Sequence, residues 1–300
     1  MVSDDPRGSG QGPLLELKDV HVHVPSGSRQ LTEVVRGVSF TVERGGSVGL
    51  VGESGSGKSM TSLAVMGLLP KGSRVDGTIR LESTDLIRAS RNTMRSIRGD
   101  RIAMIFQDPL SSLNPYFTVG DQIAEAYRAH NSATRKDALD LARDAMERVG
   151  IPRVKETSHQ FPHQFSGGMR QRIMIAMALV CQPDLVIADE PTTALDVTVH
   201  ARVLDLIREL QAQTGAGLIF ITHDLAVVST MTREVVVLRH GEVQEQGPTR
   251  SVFTDPSSDY TRTLLAATPR ISDVPLAASS RTADGSSFRD HWEGAGHVRS

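Results

Sequence analysis

The sequence predicts an α/β fold, a parallel sheet flanked by helices and interrupted by a mainly helical insert. Three observations predict it. Short apolar, β-branched runs end at a glycine, an acid or a histidine: "SVGLVG" from Ser47, "LVIADE" from Leu185 and "LIFITH" from Leu218. These runs alternate with segments of helical period. A glycine-rich turn, "GESGSGKS" (Gly52–Ser59), joins the first run to a helix.

Residues 1–13 are rich in Gly, Ser and Asp and read as a flexible tail. "LLELKDVHVHV" from Leu14 alternates as a strand does, and "VRGVSFTVERGG" from Val35 repeats the pattern and ends in a turn. After the run at Ser47 the spacing predicts a helix from about Lys58 to Leu69, then a strand in "GTIRLES" from Gly77. "RIAMIFQDP" from Arg101 reads as a buried strand stopped by Pro109. From about Thr118 to Gly150 the pattern is helical, and another helix covers Met169–Val180. "DLVIADE" is a strand, 197–213 a helix, "AGLIFITHD" from Ala216 a strand, and "REVVVLRHGEVQEQG" from Arg233 a strand and hairpin. No internal repeat is visible. Beyond about Thr268 the periodicity is weak and small residues dominate, so 269–300 reads as a disordered tail. That tail holds Trp292, for which a docking element is the alternative to a solvated residue.

Composition narrows the function. With 33 basic and 35 acidic residues the net charge is −2, and the basic residues are scattered, so there is no electrostatic case for nucleic-acid binding. The one cysteine, Cys181, cannot form an internal disulfide and follows an apolar helical run, as a buried thiol does. No apolar run approaches the roughly 20 residues that span a bilayer. The start "MVSDDPRGSGQG" is polar and acidic rather than a signal peptide. The chain by itself is expected to be soluble, brought to any membrane by a partner.

"GESGSGKS" fits G-x-x-x-x-G-K-[ST] in the context that its mechanism needs, after a strand and at the start of a helix. Its glycines let successive N–H groups of Gly52, Glu53, Ser54, Gly55, Ser56 and Gly57 face phosphates. The helix N-terminus adds positive dipole. Lys58 would reach the β- and γ-phosphates, and Ser59 would place its hydroxyl on Mg²⁺. "LVIADE" ends in two acids at the sheet edge where ligands bind. Successive strand side chains point opposite ways, so Asp189 suits holding Mg²⁺, through water, and Glu190 suits polarising a water. A solvated strand end would be the plainer reading of either acid alone. His223 ends a third strand at the same edge, as a phosphate sensor or a structural hydrogen-bonder. Gln107 ends "IAMIFQ" there, with an amide able to approach both metal and water, or as a structural glutamine. A second glycine turn, Ser166-Gly167-Gly168, opens the helix through Met169 and offers another set of phosphate donors.

In this order the phosphate loop, Gln107, "FSGGM", "LVIADE", "TALD" and His223 resemble the ATP-binding cassette of ABC transporters, over residues 14–240. The resemblance implies a P-loop NTPase cassette with a RecA-like core, an antiparallel β subdomain and a helical subdomain at about 109–168. The cassette would span 14–248. It implies ATP and Mg²⁺ as cofactors and a head-to-tail pair of cassettes. The phosphate loop of one and the Ser166-Gly167-Gly168-Met169 turn of the other would then hold one ATP. Asp196, in the segment Thr193–Asp196, would belong to the loop that crosses the dimer; helix capping is its plainer role. Gln107, Ser59 and Asp189 would serve the metal, and Glu190, His223 and Gln107 catalysis.

The wording "MIFQDPLSSLNPYFTVGDQI", "FPHQFSGGMRQRIMIAMAL" and "IADEPTTALDVTV" is similar to the peptide/nickel importer branch. "GPTRSVFTDPSSDYTRTLLAATP" resembles that branch's C-terminal extension, here 249–268, with Ser258-Asp259 where the branch carries His-Pro. The longer cysteine-bearing extension of some relatives is missing, so no iron–sulfur cluster is expected. Val24 stands where the family stacks an aromatic on adenine, which leaves adenine to a neighbour such as His23. The branch implies an ATPase subunit that powers an importer for di- or oligopeptides or related solutes. It would sit at the cytoplasmic face of the membrane with a second cassette, a different chain or a second copy. Two permease subunits and, indirectly, a solute-binding protein would complete the importer, with no nucleic acid. The rival reading is a soluble cassette ATPase acting on nucleic acid or ribosomes. Such proteins carry a second cassette, long coiled-coil inserts or zinc modules, for which this chain offers no signal. A non-hydrolytic module would be favoured had an acid or the lysine been missing.

Overall fold

The computed structural model describes residues 12–26, 30–106, 112–191 and 197–267. In chain order the elements are β1 (Leu15–Ser26), β2 (Gln30–Val42), β3 (Ser47–Val51), α1 (Lys58–Met66), β4 (Arg74–Leu81) and β5 (Thr84–Asp85). Then come α2 (Arg91–Ile97), β6 (Ile102–Ile105), α3 (Val119–Arg128), α4 (Arg135–Arg148), α5 (Val154–Thr157) and α6 (Gly167–Leu179). The rest are β7 (Leu185–Asp189), α7 (Val197–Thr214), β8 (Gly217–Ile221), α8 (Leu225–Met231), β9 (Glu234–Arg239), β10 (Glu242–Pro248), α9 (Thr249–Thr254) and α10 (Asp259–Ala267).

The alternating strands form one sheet and the continuous apolar strands another. β1 and β2 alternate, burying Leu15, Leu17, Val20 and Val22 on one and Val35, Val38, Phe40 and Val42 on the other. They lie in a four-stranded antiparallel sheet of order β2-β1-β4-β5 with one face on the core. β3, β6 and β8 are buried along their whole length, as strands of a parallel sheet covered on both faces are. They belong to a six-stranded sheet of order β10-β9-β3-β8-β7-β6, parallel from β9 to β6. One side of this sheet packs on the antiparallel sheet and α1 through Leu50, Val65, Ile79, Ile187 and Ile221. The other packs on the helical insert, where Ile123, Ala138, Ala142 and Met146 meet Ile173 and Met174 of α6.

Helix boundaries follow local chemistry. Thr118 and Thr134 cap α3 and α4 by accepting the N–H groups of Asp121 and Asp137. α1 ends at Met66, short of the expected Leu69, because Gly67 takes a left-handed turn. Its N–H reaches the Ala64 carbonyl, and that of Leu68 the Leu63 carbonyl. α2 and α8 went unanticipated: seven residues are too few for a period to show, although Ser90 and Asp224 cap them. The N-terminal tail through 11, the C-terminal tail with Trp292, Gln107 and Asp196 lie outside the described residues. Among the described residues no helix is long and apolar enough to cross a membrane.

Registry aligns the chemistry. Leu50 of β3 pairs with Ile221 of β8, Ile221 with Asp189 of β7, and Ala188 with Ile105 of β6. The C-terminal ends of these strands are therefore level along one edge, with β3 between β8 and β9. Residues that follow them meet there, although they are scattered along the chain.

Candidate functional site

β3 delivers its chain directly into the loop 52–59. Gly52 has φ 145°, and a Cβ there would lie 2.1 Å from the Leu238 carbonyl oxygen of β9. Gly57 has φ 103°, and a Cβ would meet the Val34 carbonyl oxygen at 2.8 Å. Only glycine fits both, so the backbone can close tightly before α1 begins. Lys58 is buried, 6% exposed, and its Nζ donates to the carbonyl oxygens of Gly52 at 2.8 Å and Glu53 at 2.9 Å. A longer bond of 3.4 Å runs to Ser56 Oγ. Burial lowers the pKa of the ammonium; the negative charges of Glu190 and Asp189 oppose that shift.

The two acids diverge, as strand geometry predicts. Asp189 Oδ1 accepts a hydrogen bond of 3.2 Å from Ser59 Oγ, which ties β7 to the first turn of α1. Burial raises the Asp189 carboxyl above its usual range. The Ser59 hydrogen bond opposes this, the Glu190 charge adds to it and Lys58 opposes it. Glu190 leaves the strand in left-handed backbone, φ 46°, with its N–H on the Ile221 carbonyl at 2.9 Å. Such backbone is costly for a non-glycine residue and persists where its surroundings hold it. Its Oε1 lies 3.2 Å from Nδ1 of His223, whose side chain is 64% exposed. His223 is presented by a turn that Thr222 and Asp224 stabilise. Thr222 Oγ1 accepts the Asp224 N–H, and the Asp224 carboxylate accepts the N–H groups of Ala226 and Val227.

Ser166 caps α6, its Oγ accepting the Met169 N–H at 3.4 Å. Ser166 and Gly167 are exposed, and a Cβ on Gly167 would meet nothing within 4 Å. Among the described residues no hydrogen bond or ion pair joins this turn to the phosphate loop. Its helix is nevertheless tied to the acids: buried Gln171 donates from Nε2 to the Pro191 carbonyl, one residue beyond Glu190, at 2.6 Å. Sequence reasoning missed Gln171. The available signal was a single amide between Arg170 and Arg172, just before the apolar run "IMIAMAL" from Ile173. It also missed the contact of Tyr260 with the loop, described below. Val24, at the expected adenine position, is half-buried against the core of the antiparallel sheet. His23 lies 3.9 Å from both Glu33 and Asp76.

The donor set fits a phosphate-bearing ligand with a hard cation. A tight glycine cradle, a buried ammonium and a helix N-terminus converge at 52–59. The Ser59 hydroxyl and Asp189 carboxylate, 3.2 Å apart, are oxygen donors of the kind that could hold Mg²⁺, directly or through water, alongside phosphate.

A family model described as ABC transporter matches residues 35–193. The chain belongs to the ABC transporter family. A peptide import ATP-binding protein of Brucella melitensis biotype 1 is similar to it at 46% identity over 269 residues, 87% of this chain and 79% of that protein. The dipeptide transport ATP-binding protein of Bacillus subtilis (strain 168) is 47% identical over 260 residues, 86% of this chain and 77% of its own length. The solved dimeric post-hydrolysis state of an ATP-binding cassette bound to ADP and Pi superposes with a TM-score of 0.69. It shares 24% identity and covers 79% of this chain and 99% of that one, which establishes the ABC cassette fold.

Proposed function

We propose that this chain is the ATP-binding and ATP-hydrolysing subunit of a membrane importer for di- or oligopeptides or related small solutes. The observation that carries the catalytic reading is the meeting of Lys58, Ser59, Asp189, Glu190 and His223 at one sheet edge. The peptide and dipeptide import names of its relatives support the cargo class.

In this reading the loop amides and Lys58 bind and orient the phosphates. Ser59 and, through water, Asp189 would hold Mg²⁺, which when bound would neutralise phosphate charge. Glu190 accepts a proton from the attacking water, and His223 holds the Glu190 carboxylate in place through its ring. Phosphoryl transfer to water needs little more than such positioning and electrostatics. Gln107 would sense the same centre, and Asp196 would cross to the partner. Ser166 and Gly167, exposed at a helix N-terminus, with half-buried Gly168 and Met169 beside them, would act on the ATP of a second cassette, with a different chain favoured as partner. ATP then stabilises one conformational state of the pair, as a switch requires.

A cleft of about 520 Å³ between the sheet edge and the insert supports docking of permease loops at the cytoplasmic face. Leu68 and Phe106 are exposed on it, and Ala129, Met177 and Cys181 form its wall. Cys181 serves there as an apolar surface: burial pushes its thiol up to about 12, and Sγ donates to the Ala126 carbonyl at 3.7 Å.

The test is affinity capture of tagged Glu190→Gln, with ATP and Mg²⁺, from detergent-solubilised membranes of the native host. Two polytopic permease subunits and a second cassette are expected, and their identity would narrow the cargo. Recovery of ribosomal or nucleic-acid proteins instead would transfer the assignment to a soluble cassette.

A further inference from the structure

The C-terminal extension touches the phosphate loop. Tyr260, on α10, is buried, 8% exposed, in a cluster with Val51, Leu225, Val228, Val235, Val237 and Val252. Val51 is the last residue of β3 before Gly52, and Leu225 opens the helix after His223. The Arg239 guanidinium lies 4.8 Å over the Tyr260 ring, fixing its plane. The hydroxyl reaches past this cluster and accepts the Glu53 backbone N–H at 3.4 Å. Glu53 is thus held on both sides of its backbone: N–H by Tyr260 and carbonyl by Lys58.

The extension is itself anchored. Glu245 of β10 accepts the Ser257 N–H at 2.7 Å, the Ser257 hydroxyl at 2.9 Å and the Ser258 N–H at 3.1 Å. Ser258 Oγ accepts the Thr261 N–H at 3.5 Å, so the departure Ser258-Asp259 still starts the helix that carries Tyr260.

We propose that Tyr260 is a positioning residue for ATP: its hydroxyl sets the first bend of the phosphate loop and makes the extension part of the nucleotide site. The inference rests on the reading of 52–59 as the loop that holds phosphate. When Lys58 turns its ammonium from the Gly52 and Glu53 carbonyls toward a phosphate, Tyr260 keeps the Glu53 amide in place from the other side. The hydroxyl's bond goes to the loop backbone at Glu53, so its loss is expected to act on ATP affinity rather than on the chemical step.

The test compares Tyr260→Phe, Val252→Ala and Lys58→Ala in the full-length chain, by calorimetric ATP binding with Mg²⁺, thermal melting, and KM and kcat of the ATPase. Tyr260→Phe keeps the ring and removes one hydrogen bond. It is expected to weaken ATP binding and raise KM by about twofold to tenfold, with kcat unchanged and Tm lowered by no more than a few degrees, about what one hydrogen bond is worth. Val252→Ala thins the same cluster without a polar contact to the loop, and is expected to lower Tm and leave ATP affinity unchanged. Wild-type ATP affinity in Tyr260→Phe would overturn the proposal. So would an equal loss of affinity in Val252→Ala, which would reduce Tyr260 to packing. Wild-type binding by Lys58→Ala would remove the loop reading itself and the proposal with it, whereas a loss there alone would remove only the role of Tyr260.

Discussion

Two glycine turns each open a helix in this molecule, and they are built in opposite directions. The turn at 52–59 is anchored inward: Ser56 and Lys58 are 3% and 6% exposed and the lysine satisfies the loop's own carbonyls, while Glu53, Ser54 and Gly55 form an exposed tip. The turn at Ser166 faces outward, with Ser166 and Gly167 exposed and open space where a Gly167 side chain would stand. A site that grips its ligand within one chain can be desolvated and preorganised by that chain. A site that completes its ligand shell only against a partner must keep its donors at the surface.

The sharpest way to break the contrast is at the acids. Glu190→Gln is expected to cut steady-state hydrolysis at least about 100-fold while ATP binding persists, since it would remove the proposed general base and leave the loop intact. Wild-type turnover would remove Glu190 from that role. Lys58→Ala should weaken ATP binding of the isolated chain by roughly 10- to 100-fold, the value of a charge-assisted contact. Calorimetry reads this directly, and unchanged affinity would contradict the inward site.

The outward turn is tested by Gly167→Asp, which has room in the monomer and suits a helix N-terminus but sets a negative charge against a partner's phosphate. ATP binding to the isolated chain and Tm should hold, while hydrolysis by the assembled pair falls about tenfold or more. Hydrolysis that survives the change would mean that the turn does not meet nucleotide.

The smallest effect concerns the cost of the inward site. The folded-state pKa of Asp189 lies above its unfolded value, so the folded protein binds that proton more readily. The resulting penalty is absent below the unfolded pKa and complete once pH passes the raised folded pKa. At pH 7 Asp189→Asn should therefore raise Tm, by about 2–4 °C for each kcal/mol relieved in a domain of this size. A fall in Tm would show that the Ser59 hydrogen bond and attraction to Lys58 together outweigh burial.

Much of this site was readable along the chain. The loop 52–59, the strand-end acids, His223 and the Ser166 cap are each carried by a few contiguous residues. Glycine, lysine and acid at a strand end have few other uses in that order. The strands were equally legible, because burial on one face or two leaves a period of two or a continuous apolar run. Short α2 and α8 were not, since one or two turns cannot display a period. At the end of α1 two local signals compete, an apolar pattern that runs on to Leu69 and a glycine at 67, and the left-handed turn at Gly67 prevails.

What the sequence determined by itself is therefore the inventory: a phosphate loop, two acids, a histidine, and a second cradle that precedes the acids by one helix and one strand. Only the tertiary structure decided their company. Sheet order and register, not proximity in sequence, made Ser59 meet Asp189, turned Glu190 to His223 and tied Gln171 to Pro191. The bond from Glu53 to Tyr260 spans 207 residues and depends on where α10 packs against β9 and β3. Local patterns record which face a residue buries, but a contact between distant elements depends on how several buried faces share one core, and no single stretch of chain carries that.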